Sequence, residues 1–502
     1  MKINLYKAST IKHLFKACVF VLLFILSSYS HTAQTDSTSI AASEKTRINI
    51  LGASVIERNP KISDASRLIG DVKLAFDDAI LTCDSAYRFD DGRFEVFSQV
   101  VISQEPSTKL SADYGVLDPD IGSVYIKGDV TFNHETLNIS CPSLTYNLDT
   151  KLVSYYEKAT IIEGDRSLSS NLGVYSSTTN RLYAGDNVEI IELKDVIQSD
   201  SLSIDRNSKT LRLYKSSYLE INDAIINCEK GEFNGKTGVG WFSGGASMMD
   251  DQGLISGDSI IVNREKNEGM AWGHVMISDS SRTMNVKGSF ASRSENSDLV
   301  TGFSDHLVQI VNIEGVDTLR MNTLRLERRE EMLYASGKVV FKQGAFSGSG
   351  DSLSWDRNID EMLLLGKPVV WSEEDEMTGD TVKMNLKENR PTSMQLMGDA
   401  NVLSPANDSL DHVISGRDLF ANFSKGKLSS VDVIGNGRAN YYSIDDLDDI
   451  SLNRATCSQI QMLFSKGKVT RITLLGLPDG NFNPLDDGGS EDLPARRIKP
   501  QL

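Results

Sequence analysis

A 29-residue period constrains this chain more than any single residue does. A slot that follows a small side chain recurs at Asp84, Asp113, Pro142, Asn171, Asp200, Glu229, Asp258 and Lys287, each step being 29. After six extra residues the slot returns at Asn322, then at Asp351 and Asp380 with the same step, and more widely spaced at Arg417 and Ser458. A chain repeating in this way folds as a stack, because each unit can bury its apolar face only against its neighbours. Its 502 residues therefore describe one elongated body and not several globular domains.

Within a unit the hydrophobic period is two. In "Gly70-Asp71-Val72-Lys73-Leu74-Ala75-Phe76" the residues Val72, Leu74 and Phe76 share a face, a turn at Asp77-Asp78 follows, and Ala79–Cys83 enters the next strand. Glycine at the start of these strands, as at Gly128, Gly273 and Gly337, suits a bulge where a strand turns a corner. Two residues before the slot residue's small neighbour runs an aliphatic ladder, Leu81, Leu110, Ile139, Leu168, Ile197, Ile226 and Ile255. Side chains two apart on a strand share a face, so the aliphatic and small positions both point inward. The residues between them, Thr82, Ser111, Ser140, Ser169, Gln198, Asn227 and Ser256, are polar and point outward. Beyond the first 33 residues no helical period is found. The fold expected is all-β.

Residues 1–33 read as a secretory signal peptide: Lys2, Lys7, Lys12 and Lys16 precede the apolar run Ala17–Leu26, and a small polar stretch follows. Left uncleaved, it would serve as an inner-membrane anchor. Repeats fill 46–315 and continue with insertions through 316–478, with a bend or boundary near 295–320. Residues 479–502, rich in Gly and Asp, are expected to be a disordered acidic tail. Removing the four signal lysines from a formal charge of −17 leaves about −21, so nucleic acid is not an expected partner. Cys83, Cys141, Cys228 and Cys457 all occupy the small slot, which elsewhere holds Ala, Ser or Gly. With two strands per unit, Cys83 and Cys141 lie roughly 19 Å apart, beyond the about 7 Å reach of a disulfide. They are expected to be small buried thiols.

No catalytic or cofactor signature emerges. "Gly231-Glu232-Phe233-Asn234-Gly235-Lys236-Thr237" is one residue short of a phosphate-binding loop and no helix follows it, so it reads as a hairpin turn. His134, His274, His306 and His412 are too scattered for a metal site. The slot acids Asp84, Asp113, Asp200, Asp258, Asp351 and Asp380 face away from the aliphatic ladder and read as solvated turn or edge residues. No cofactor and no metal is expected.

The run from Gly337 to Trp355, "Gly337-Lys338-Val339-Val340-Phe341" then a turn, then "Gly350-Asp351-Ser352-Leu353-Ser354-Trp355", is nearly copied from Gly70 to Tyr87. This pattern, spread over about 46–470, resembles the OstA-like family, the periplasmic lipopolysaccharide-transport proteins that include LptA and the N-terminal part of LptD. The resemblance implies a V-shaped antiparallel β-jelly-roll whose open edge holds acyl chains. It also implies partnership with lipopolysaccharide and with other Lpt components by edge-strand pairing, in a periplasmic bridge toward the outer membrane. The chain departs from the family in its roughly thirteen units and in ending without a terminal β-barrel pattern. At about 4.8 Å per strand the stack would reach on the order of 125 Å.

On that reading the chain is not an enzyme. Exposing a lipid costs about 0.8 kcal/mol per methylene, on the order of 10 kcal/mol for a twelve-carbon chain, and a continuous apolar groove removes that barrier. Leu81, Leu110, Ile139, Leu168, Ile197, Ile226 and Ile255, with Val72, Phe76, Val130 and Phe132, are the expected lining; the same residues would also suit a closed core. Two other readings fit a repeat: an extracellular β-helix that binds or acts on carbohydrate, and a structural surface stalk with a filled interior.

Overall fold

The structure, a computed structural model, describes residues 48–58, 64–295, 297–302, 307–313, 318–388, 390–407, 409–424, 427–444, 450–465, 468–484 and 496–499. The expected signal peptide, His306 and residues 485–495 of the expected tail lie outside them. Ser66–Phe76 pairs with Ala79–Arg88, and the meander continues through Phe94–Gln104, Thr108–Asp118, Ser123–His134 and Leu137–Asn147. It runs on to Lys468–Leu475 and Asp479–Pro484, both of which pair with Ile450–Ser465. Strands alone make up the regular structure of the described residues, and they pair antiparallel throughout. The fold is the all-β stack that the period suggested, in the antiparallel jelly-roll form that the resemblance implied, and it rules out a parallel β-helix.

Long strands turn a corner near their middle, which divides the sheet into two leaves. On one strand of a hairpin the corner is two successive left-handed residues, Gly70 (φ 77°) and Asp71 (φ 47°), Gly128 (φ 84°) and Asp129 (φ 40°), or Gly273 (φ 67°) and His274 (φ 44°). Glycine takes the first of these positions because a Cβ is penalised there. On the partner strand the corner is the small residue and its slot neighbour, where the ladder skips, as at Cys83-Asp84 between Thr82 and Ser85. At several corners the slot N–H donates to the carbonyl of the next corner glycine, Asp351 to Gly366 at 3.3 Å, Asp380 to Gly398 at 2.9 Å and Ser458 to Gly476 at 3.1 Å. Its side chain lies over that glycine, so a Cβ on Gly128 would stand 2.7 Å from Asp113 Oδ2 and one on Gly273 2.1 Å from Asp258 Oδ2. The slot acids are exposed, and they cover the corner.

The small slot prefers a donor as well as a small volume. Cys83, Cys141 and Cys457 Sγ donate to the carbonyl two residues on at 3.2–3.3 Å, as Ser170 and Ser199 Oγ do at 3.2 and 3.0 Å. This occupies a carbonyl that the skipped ladder leaves free. Cys83, Cys141, Cys228 and Cys457 are free thiols and buried, and burial pushes the Cys83, Cys141 and Cys228 thiols up to about 11.

The second leaf ends in a repeated turn. Asn147, Asp205, Asn234 and Asn263 accept from backbone N–H groups two or three residues on, and Lys151, Lys209, Gly238 and Asn267 close the turns with positive φ. Successive turns are stitched by backbone bonds, Leu148 to Gly122 at 2.8 Å, Arg206 to Asn180 at 3.0 Å and Arg264 to Gly238 at 2.9 Å. The turn at 234–238 is the hairpin expected for the glycine-rich stretch.

Three expectations need correction. Lys287 and Asn322 are outward strand residues; the corners there are Gly288-Ser289 and Thr323-Leu324, two residues later, where the ladder skips. Of the bend or boundary expected near 295–320, it is the boundary that is ruled out, because the described sheet crosses this stretch through Ser297–Thr301, Val308–Asn312 and Leu319–Thr323 within a single unit Arg47–Leu502. Residues 479–484, assigned to a disordered tail, form a strand against Ser451–Thr456, because backbone pairing at a sheet edge does not require an apolar sequence.

Candidate functional site

The first leaf contains the stretches that carry the aliphatic ladder, such as Val72–Phe76 and Ala79–Cys83; the second contains the stretches beyond the corner, such as Ser85–Arg88. Val72, Phe76, Leu81, Leu110, Val130, Phe132, Ile139 and Ile255 point inward and are buried. Leu168, Ile197 and Ile226 also point inward; Leu168 is buried like those eight, whereas Ile197 and Ile226 line open space between the leaves. A second inward ladder on the opposite leaf completes the interior: Leu117, Tyr146, Tyr175, Ile204, Phe233 and Val262, again 29 apart. The sequence reading missed this ladder, although its period was available to find it.

From about residue 66 to 182 the interior is filled. Phe76, Phe94, Phe132, Tyr146, Tyr155 and Tyr175 are almost inaccessible to solvent, with the Phe132 ring 5.9 Å from a tilted Tyr146 and 6.0 Å from an edge-on Tyr175. Gly173 has no side chain because Tyr155 takes its place: a Cβ there would meet the Tyr155 hydroxyl at 2.1 Å. Burial pushes the Tyr146 and Tyr155 phenols up to about 12.

Two polar bridges close the mouth of this stretch. Lys151 Nζ on a second-leaf turn reaches Asp78 Oδ2 on a first-leaf turn at 2.9 Å, and Gln104 links Asp78 to the Tyr146 hydroxyl. Arg206 donates to Glu163 Oε1 at 2.7 Å, to Thr136 Oγ1 at 3.0 Å, to Asn180 Oδ1 at 2.8 Å and to the Tyr175 hydroxyl at 3.1 Å. Burial works against the Arg206 charge, but the Glu163 carboxylate outweighs it and holds the guanidinium above its usual value. His134, packed beside Tyr175, is held below its usual range by burial.

Beyond Arg206 the leaves part. A cavity of 760 Å³ lies between Ile190, Ile197 and Ile221 of the first leaf and Ile204, Leu211 and Phe233 of the second. Its rim carries Glu163, Arg166, Glu192, Lys209, Arg264 and Glu265. A second cavity of 220 Å³ shares Ile221, Phe233 and Arg264 and continues past Ile226, Phe242 and Met248 to Arg293. There Arg293 Nη1 and Gln252 Oε1 are buried without a hydrogen-bond partner among the described residues. The result is an apolar floor with a charged lip, suited to an amphiphile whose tail is greasy and whose head is polar. No cluster of three or more potential metal ligands is present among the described residues.

Two family models match overlapping stretches of this one sheet: OstA-like protein over residues 45–200, and LptA/(LptD N-terminal domain) LPS transport protein over residues 167–390. Among solved structures, LptH from Pseudomonas aeruginosa, the LptA-homologous periplasmic component of the lipopolysaccharide transport device, is similar at 17% identity. That match covers 21% of this chain and 81% of the LptH chain, with a TM-score of 0.20. No curated protein matches. With family models matching from residue 45 to 390 on an all-β antiparallel roll, the chain belongs to the OstA-like family.

Proposed function

We propose that this protein is a non-enzymatic periplasmic carrier that shelters the acyl chains of lipopolysaccharide between its two leaves on the way to the outer membrane. The observation that carries the reading is the cavity at residues 190–265, walled by inward apolar side chains from both leaves and rimmed by charge. A surface stalk would have a filled interior throughout, and this stretch does not. The groove lining extends the aliphatic ladder at Ile197 and Ile226 to Ile204, Leu211 and Phe233 opposite.

The end strands support a bridging role. Asn49–Gly52 and Val55–Arg58 pair only with Ser66–Phe76 among the described residues, and Lys468–Leu475 and Asp479–Pro484 only with Ile450–Ser465. Each end therefore offers an unpaired edge to which a related transport component could add a strand. Site-specific photo-crosslinkers at Ile197 and Phe233 should capture lipopolysaccharide in cells, whereas one at Tyr125, exposed on the outside of the second leaf, should not. Absence of lipid adducts from both inward positions would sink the carrier reading.

A further inference from the structure

Along most of the first leaf the outward residues are polar and solvent-facing, as Thr82, Gln198 and Lys342 are. One cross-strand row departs from this. Ser347, Trp371, Glu376 and Leu403 stand opposite one another in register, and they face outward because Gly348, Val370, Met377 and Val402 face in. Yet they are only 1%, 5%, 3% and 3% exposed. Ser347 Oγ is buried there without a partner among the described residues. An indole, an isobutyl group and a carboxylate hidden on the outside of a sheet require a cover, and the carboxylate requires a cation.

Residues 496–499 supply the cation and bond to the turn at 373–376 and to Asp411. Arg496 Nε donates to both carboxylate oxygens of Asp411 at 2.8 Å, and its Nη1 donates to the Glu374 carbonyl at 2.9 Å. The Arg497 N–H donates to Glu376 Oε2 at 2.8 Å, with its guanidinium 3.6 Å from Oε1 of the same carboxylate. Lys499 Nζ donates to the Glu373 carbonyl at 3.1 Å. Backbone and side chain are thus both read, by groups 85 to 126 residues away.

We propose that the outer face around Trp371, Glu376 and Asp411 is a binding site for a dibasic peptide segment, filled in cis by Arg496-Arg497-Ile498-Lys499. The segment follows the end strand Asp479–Pro484 and is anchored at 373–376 and 411. It therefore acts as a strap fastening the end of the sheet to strands that precede it.

The test uses the full-length chain. Arg496→Glu with Arg497→Glu leaves every sheet residue in place and empties the site. A fluorescent peptide of residues 494–502 should bind that variant at least about tenfold more tightly than the unsubstituted chain, whose tethered segment competes at high effective concentration. Adding Glu376→Gln and Asp411→Asn to the emptied variant should abolish peptide binding. Trypsin cleavage after Arg496 in the otherwise unsubstituted chain should likewise accelerate when Glu376→Gln and Asp411→Asn are introduced. Equal peptide binding to both chains, binding to neither, or unchanged cleavage would overturn the proposal.

Discussion

Residues 66–182 and 190–265 share one repeat, one corner and one kind of turn, but the first encloses a packed interior and the second a cavity. The difference sits on the second leaf. Its inward slot holds Tyr146 and Tyr175 in the first stretch, and Ile204 and a half-buried Phe233 in the second. The turn residue that begins the lip changes from Leu148, which is buried, to Arg206 and Arg264, which border the opening. The period therefore sets the scaffold, while side-chain volume and lip charge at two repeated positions decide whether a unit is core or container.

The sharpest way to break this contrast is to truncate matched inward positions. Tyr175→Ala removes a ring packed on Phe132 and His134 and should cost about 4 kcal/mol, whereas Ile204→Ala beside existing space should cost only about 2 kcal/mol. Equal losses in denaturant midpoints would mean that the two interiors are packed alike. Arg206 stands at the border between them. Arg206→Met leaves Glu163 without its guanidinium and should destabilise by about 2 kcal/mol, while raising lipid capture by a photo-crosslinker placed at Tyr175. If capture at Tyr175 stays at background, the bridge does not limit how far lipid enters.

The smallest effect concerns pH. His134 is held below its usual 6.5 by burial, so it stays neutral in the fold, while the unfolded chain takes up a proton first as pH falls. The stability this neutral ring supplies is complete above pH 6.5 and is lost as pH drops from there toward the depressed folded value. His412 adds in the same direction, being also lowered by burial and accepting the Tyr442 N–H at Nδ1. Melting temperatures should therefore fall between pH 7 and 5, and His134→Gln should flatten part of that slope. An unchanged slope would assign the effect elsewhere.

Much of this organisation is legible in the sequence, and its failures have physical reasons. Leu81 and Cys83 could be assigned inward because alternation holds up to the corner. Past the corner the parity flips: 79, 81 and 83 are buried, then 86; 108, 110 and 112, then 117. Straight counting therefore assigns the wrong face to the second leaf and hides the ladder of Tyr146, Tyr175 and Ile204. The slots at Lys287 and Asn322 slipped because two extra residues fall between Asp258 and the corner at Ser289 and two fewer between the corner at Leu324 and Asp351, although Gly288 and Thr323 were the small residues to align on. The lip bridges were beyond reach, since Arg206 meets a carboxylate 43 residues away. The strap was equally hidden, because short basic runs outnumber the acidic sites that hold them.

The twin left-handed residues at each fold line bear on how the body could yield to cargo. Each leaf is tied along its whole run by ladder bonds, and the second leaf also by the stitched turns, so neither can give way one unit at a time. The compliant line is the spine where the two covers of this book meet. If lipid passes between the leaves as proposed, widening this spine at one unit also strains the ladder bonds to its neighbours, so that an opening is shared over several units.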